Sequence, residues 1–196
     1  MNRSNFVKSV MRDVVDMANI NNYFYVLPVE HILSGFFCEM TPRGAYVWRF
    51  IYPLFDTSDE IHLLYSQRLD YPEDYIDFEK VDKSNLAAVF CERIENKVER
   101  ARSMATLHNF CSYCEGRAAL LEHELSQMAY GFALLLLDQN ERACDFLNRA
   151  KNYLRGSHKE RCIKVLQLLS QEPEGAKRLI LNWEDENKYK LGVRTI

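Results

Sequence analysis

Glycine is scarce. Seven residues scattered through 196 leave no glycine-rich loop whose backbone amides could cradle a phosphate. Neither a Gly-x-Ser-x-Gly elbow nor a His-Glu-x-x-His pair occurs, which removes the signatures of α/β-hydrolases and zinc metalloproteases. Long apolar runs are missing too. The longest, residues 45–55 (broken by Arg49) and 128–137, fall short of the roughly 18 to 20 residues needed to cross a bilayer. Positive charge is not in surplus: 25 Lys and Arg against 28 Asp and Glu give a net charge of -3. Nucleic-acid and anionic-membrane binders usually draw on a basic excess, so both partners are disfavoured. The first twenty residues hold Asp13 and Asp16 inside their apolar pattern and no small-residue cleavage site. Neither a secretory signal nor a transit peptide is therefore expected, and the expected location is cytoplasmic. There the six cysteines, Cys38, Cys91, Cys111, Cys114, Cys144 and Cys162, stay reduced and act as small apolar groups.

What is present is core material with a change of rhythm. Hydrophobic residues make up 47% of the chain, enough to fill one large domain or two small units sharing a core. Phe6, Val7, Val10, Val14, Met17 and Ala18 recur at three- and four-residue steps, which predicts an amphipathic helix over residues 5–18. The period then shortens to two. Residues 23–27 and 32–40 read as extended, and Thr41-Pro42-Arg43-Gly44 supplies a turn with proline and glycine at the positions that suit them. Tyr46, Trp48, Phe50 and Tyr52 alternate with Val47, Arg49 and Ile51 in a strand. A second turn falls at residues 56–60, and Ile61, Leu63, Tyr65 and Leu69 mark a third strand. Together these predict an antiparallel meander. Residues 70–82 follow as a connector with six acids against one lysine, read as a solvated loop or an acidic docking strip.

From Ser84 the spacing turns helical almost to the end. Helices are expected over residues 84–105, 116–137, 141–154 and 158–169, with Pro173 opening the last. Short breaks such as Asp138-Gln139-Asn140 force antiparallel neighbours. The expected fold class is α+β: an N-terminal helix plus an antiparallel β-meander packed on a C-terminal bundle of helical hairpins. The division is expected between residues 1–82 and 83–196, within one integrated structure.

Within the helical half, Gly131, Ala143, Leu147 and Ala150 place small residues and one bulky residue at fixed offsets, with Tyr130 and Leu134 at further apolar positions. Small residues let two helix backbones approach, and larger ones fill the groove. On these residues the hairpin at 127–154 resembles a tetratricopeptide repeat unit, which implies a helix–turn–helix used for protein binding. The pattern departs at Gln127, where the family prefers a large apolar residue, and at Arg155, where a closing proline is usual. No second copy stands 34 residues to either side, so the resemblance implies one repeat-like hairpin inside a mixed domain.

Candidate chemistry is sparse. His108, Cys111 and Cys114 lie three residues apart, on one face of a helix, and with His123 they make the best zinc candidate. Side chains along one straight helix converge poorly on an ion, however, and the alternative is two core-facing thiols with His108 at the edge. No metal or cofactor is therefore expected. Cys111 and Cys114 as a redox pair would want a strand before them, where the sequence reads helix. Glu122, His123 and Glu124 point about 100° apart and do not converge, and Glu30 with His31 has no third partner in sequence. The most basic stretch, residues 149–164, carries Arg149, Lys151, Arg155, Lys159, Arg161 and Lys164 against Glu160 alone. It reads as a solvated helix junction or as a contact for phosphate, acidic protein or the acidic connector of a second copy.

The sequence is read as a non-catalytic protein-interaction module, an adaptor or accessory subunit of a larger complex, of the kind found in defence systems or toxin neutralisation. Its candidate contacts are the basic stretch, Trp48 and Tyr52, its partner a protein, and homo-oligomerisation is open. Two alternatives stand beside it: an enzyme with an unrecognised site, and a zinc-stabilised nucleic-acid-binding protein using Cys111, Cys114 and the basic stretch.

Overall fold

The computed structural model describes residues 3–14, 16–56, 58 and 60–194. The chain is α+β, with an N-terminal helix, an antiparallel sheet and a C-terminal set of helices. By its contacts it falls into two compact units: the first runs to Tyr52 and takes in Glu60–Ala105, the second holds Thr106–Lys190 and the short segment from Pro53. The stretch 83–105, which periodicity alone grouped with the helical half, thus belongs with the sheet.

In the first unit, helix α1 (Arg3–Asp13) precedes strands β1 (Met17–Ile20), β2 (Tyr23–Val26), β3 (Ile32–Met40), β4 (Gly44–Pro53), β5 (Gln67–Arg68) and β6 (Tyr75–Asp77). The sheet runs in the order β1-β2-β3-β4-β5, with β6 also on β4. The turn at residues 41–43 joins β3 to β4 as its composition requires, Thr41 N–H donating to the Gly44 carbonyl at 2.8 Å. Helices α2 (Leu86–Glu95) and α3 (Val98–Met104) complete the unit. One face of the sheet gives Phe24, Phe36, Cys38 and Val47 to a core closed by Phe6, Val10, Phe90 and Ile94. Phe6, Phe24 and Phe90 meet pairwise with ring centroids 5.3 to 5.8 Å apart, the spacing that favours tilted and edge-on aromatic contacts.

The second unit stacks α4 (Leu107–Glu115), α5 (Ala118–Glu122), α6 (Glu124–Leu136), α7 (Asn140–Tyr153), α8 (Gly156–Gln171) and α9 (Pro173–Leu191, through Lys190). The tightest pair is α6 with α7. Gly131, Ala143, Leu147 and Ala150 are all fully buried there or nearly so, and Asp138 turns the chain between the helices with φ of +63°. Phe55 joins this unit through Phe110 and Phe132, at 6.4 and 6.5 Å, and buried Asn187 donates to the carbonyls of Leu54 and Asp56 at 2.8 and 2.6 Å.

Several expectations need correction. Met17 and Ala18 continue the helical stripe in sequence but pair with Val26 and Tyr25 in β1, after Asp16 breaks the chain at φ +58°. The third strand shrinks to Gln67–Arg68: Ile61 and Tyr65 are buried, yet the backbone turns where Ser66 N–H donates to Leu63 O at 3.0 Å. Its place on β4 is shared by β6, which comes from the acidic connector and pairs Tyr46 with Tyr75. The turn expected at 56–60 falls partly outside the described residues. The helix expected over 84–105 breaks at Asn96, where Lys97 N–H takes the tighter bond to Ile94 O. The one expected over 116–137 breaks at His123, whose backbone is extended.

Candidate interaction site

The zinc candidates do not come together. Thr106 caps α4, its Oγ1 accepting from Asn109 N–H at 3.2 Å, and this starts the helix so that Cys111 and Cys114 face inward while His108 is exposed. Burial pushes both thiols up to about 12, so they are held as protonated, apolar groups in the packing of α4. Among the described residues no group of three or more His, Cys, Asp and Glu side chains is placed to hold a metal ion. A cleft of about 430 Å³ is lined by Asp13, Glu92 and Glu95 with Val14, Val98 and Cys91, and burial raises its thiol to about 11.

A polar cluster that sequence reading missed joins one buried and two exposed side chains. Buried Tyr130 on α6 donates its hydroxyl to Glu115 on α4, and Arg142 on α7 donates to both, at 2.6 Å to the Tyr130 oxygen and 2.7 Å to Glu115 Oε1. Hydrogen bonds from Tyr130 and Arg142 hold the Glu115 carboxyl below its ordinary range, while burial and then Glu115 push the Tyr130 phenol well above its own. The three groups saturate one another, so chemically they form a clamp across three helices, with a phenol held protonated.

Of the aromatic candidates, Tyr52 is fully buried against the His62 ring at 5.3 Å and is packing. Trp48 is half-buried: its Nε1 donates to Glu39 at 2.9 Å, and the Arg68 guanidinium lies 3.7 Å over Tyr46 and 5.0 Å from Trp48. These groups stand on one stretch of the sheet and are satisfied by each other.

The basic stretch divides by the geometry of its helices. Ala143, Leu147, Ala150 and Leu154 turn inward, which leaves Arg149 and Tyr153, four apart, on the outward face of α7. Arg155, the extended residue that precedes α8, and Lys159 in its first turn are exposed as well. Tyr153 is 71% exposed. Arg149 lies 4.0 Å over the Phe146 ring and keeps its charge in solvent. Arg155, Lys159 and Lys164 are exposed and have no ion-pair partner among the described residues, but Lys164 lies five positions on from Lys159 and off its face. Two others point away. Lys151 is half-buried and bonds Asn148, and half-buried Arg161 lies 5.4 Å from the Trp183 ring. Tyr153 was legible in the sequence as an aromatic that falls off the buried stripe of its helix.

Comparisons with family models, with curated proteins and with solved structures give no match.

Proposed function

We propose that this chain is a non-catalytic protein-interaction module, an adaptor or accessory subunit, that grips an acidic protein segment at the edge formed by Arg149, Tyr153, Arg155 and Lys159. The observation that carries this reading is an exposed tyrosine (71%) close in sequence to exposed cations that have no ion-pair partner among the described residues. Tyr and Arg are the residues that concentrate binding energy at interfaces, the ring by desolvating a large area and the guanidinium by fork-like bonding to carboxylates. Unpaired cations steer an acidic partner toward the edge and fix its register more than they add affinity. The Tyr130 clamp and the close α6–α7 packing supply a rigid base, so little ordering has to be bought when the partner docks. The test is a photoreactive phenylalanine analogue at position 153, with the same group at Tyr189, which is 89% exposed on α9, as control. A protein adduct from 153 and none from 189 is the expected result. Equal labelling from both positions, or none from either, would overturn it.

A further inference from the structure

The edge has a chemical counterpart in the same chain. Residues 70–82 carry six acids against one lysine, and residues 149–164 carry six Lys and Arg against one Glu. At the head of the acidic segment lies a turn, Asp70-Tyr71-Pro72-Glu73-Asp74, closed by Glu73 N–H donating to Asp70 O at 2.9 Å. Arg93 of α2 holds it from behind: its Nη1 donates to the carbonyls of Pro72, Glu73 and Tyr75 at 3.2, 2.8 and 2.6 Å. Lys97 pairs with Glu73 at 2.5 Å, and β6 ties the far side of the turn to β4. A backbone held at so many points presents its side chains in a fixed arrangement. What it presents is Tyr71, 90% exposed, beside the exposed Asp70. A ring so open stands almost wholly in solvent, and the carboxylates of Asp70 and Asp74 have no ion-pair partner among the described residues.

We propose that the occupant of the basic edge is a second copy of this chain, which docks its acidic tip, Asp70 and Asp74 around Tyr71, against Arg155, Lys159 and Tyr153. This rests on the reading of the edge as a protein contact and names its partner. Three features argue for a copy over an unrelated acidic protein: carboxylates on the tip (Asp70, Asp74) of opposite charge to the cations on the edge (Arg155, Lys159), an exposed tyrosine on each patch to anchor it, and a tip already rigid before docking. Because the two patches differ, the contact either closes reciprocally, each tip in the other chain's edge, or runs head to tail. Exposed ion pairs are individually weak and screened by salt, so the association is modest in strength and sensitive to ionic strength.

Sedimentation velocity of the full chain tests this over a roughly hundredfold concentration range at about 0.05 M and about 0.5 M NaCl. Mass rising with concentration at low salt and falling back to monomer at high salt is expected. The edge variant Arg155→Glu/Lys159→Glu and the tip variant Asp70→Lys/Asp74→Lys should each weaken association at least about tenfold. Mixing the two variants should restore it, because the intact tip of one meets the intact edge of the other. Circular dichroism of each variant guards against unfolding, and restoration in the mixture could not come from unfolded chains. A parent that stays monomeric throughout, or one whose association ignores both variants, would overturn the proposal. A monomeric parent that still gives a foreign protein adduct from position 153 would overturn it while leaving the interaction reading intact.

Discussion

Gly131 is the point where the α6–α7 packing is most sharply determined. A methyl placed on its backbone would lie 2.8 Å from both Cγ and Cδ2 of Leu147 and 3.5 Å from the Ala143 carbonyl. Leu147 is fully buried, and Cγ is not the free end of its side chain, so it cannot swing clear without displacing its own neighbours. Two terms compete in Gly131→Ala. Overpacking costs about 1 to 3 kcal/mol, and replacing glycine within a helix returns up to about 1 kcal/mol. With two contacts at this distance the first wins, and a net loss of about 1 kcal/mol is expected, or roughly 2 to 4 °C in Tm for a chain of this size. The decisive form is a double-mutant cycle. Leu147→Ala alone should cost about 2 to 5 kcal/mol through its cavity. On that background the clash is gone, so Gly131→Ala should now stabilise, by up to about 1 kcal/mol. Urea denaturation of the four proteins reads both signs. A loss of equal size on both backgrounds would refute the reasoning, because the crowding would then not lie at Leu147.

Ala143→Leu, which must fit a branched side chain into the same fully buried gap, should cost about 1 to 3 kcal/mol by denaturation; stability equal to the parent would place Ala143 elsewhere. Tyr130→Phe removes one oxygen from the Glu115–Arg142 clamp and should cost about 1 to 2 kcal/mol, measured the same way. The clamp also sets a pH signature. Because the Tyr130 phenol is raised when folded, its contribution is whole below about pH 10 and is lost as pH climbs above that, whereas the depressed Glu115 contributes above its ordinary value of about 4.5 and loses it on acidification. Stability measured at about pH 8 and about pH 10.5 should therefore fall less in Tyr130→Phe than in the parent. Cys38, Cys111 and Cys114, each pushed to about 12, should resist iodoacetamide at about pH 8 until the protein is unfolded; rapid native labelling of Cys111 would contradict their burial.

The fold was legible where side-chain period and turn chemistry agreed. Residues 32–53 alternate around Thr41-Pro42-Arg43-Gly44 and form the β3–β4 hairpin, and the small residues at 131, 143 and 150 mark the tightest helix pair. It was misread where one pattern serves two structures. Met17 and Ala18 extend a helical stripe and also suit a buried strand; only pairing with β2, a non-local event, decides between them. The strand inside the acidic connector had no period to read at three residues long, and Ile76 at its centre is its only fully buried side chain. The site was legible in part. Composition located the basic stretch, but exposure depends on helical phase, which separates Arg155 and Lys159 from Lys151 and Arg161 and retires Tyr52 to packing. The Tyr130 clamp joins residues 12 to 27 positions apart, a closeness that no local pattern announces.

Whether the α7–α8 edge binds protein can be measured directly. Affinity capture with the tagged parent beside Arg149→Glu/Arg155→Glu/Lys159→Glu, quantified by mass spectrometry at low and high salt, measures it. The prediction is a stoichiometric protein on the parent, a second untagged copy included, that is released by salt and missing from the variant. The same protein held equally by both, or none held by either, would contradict it.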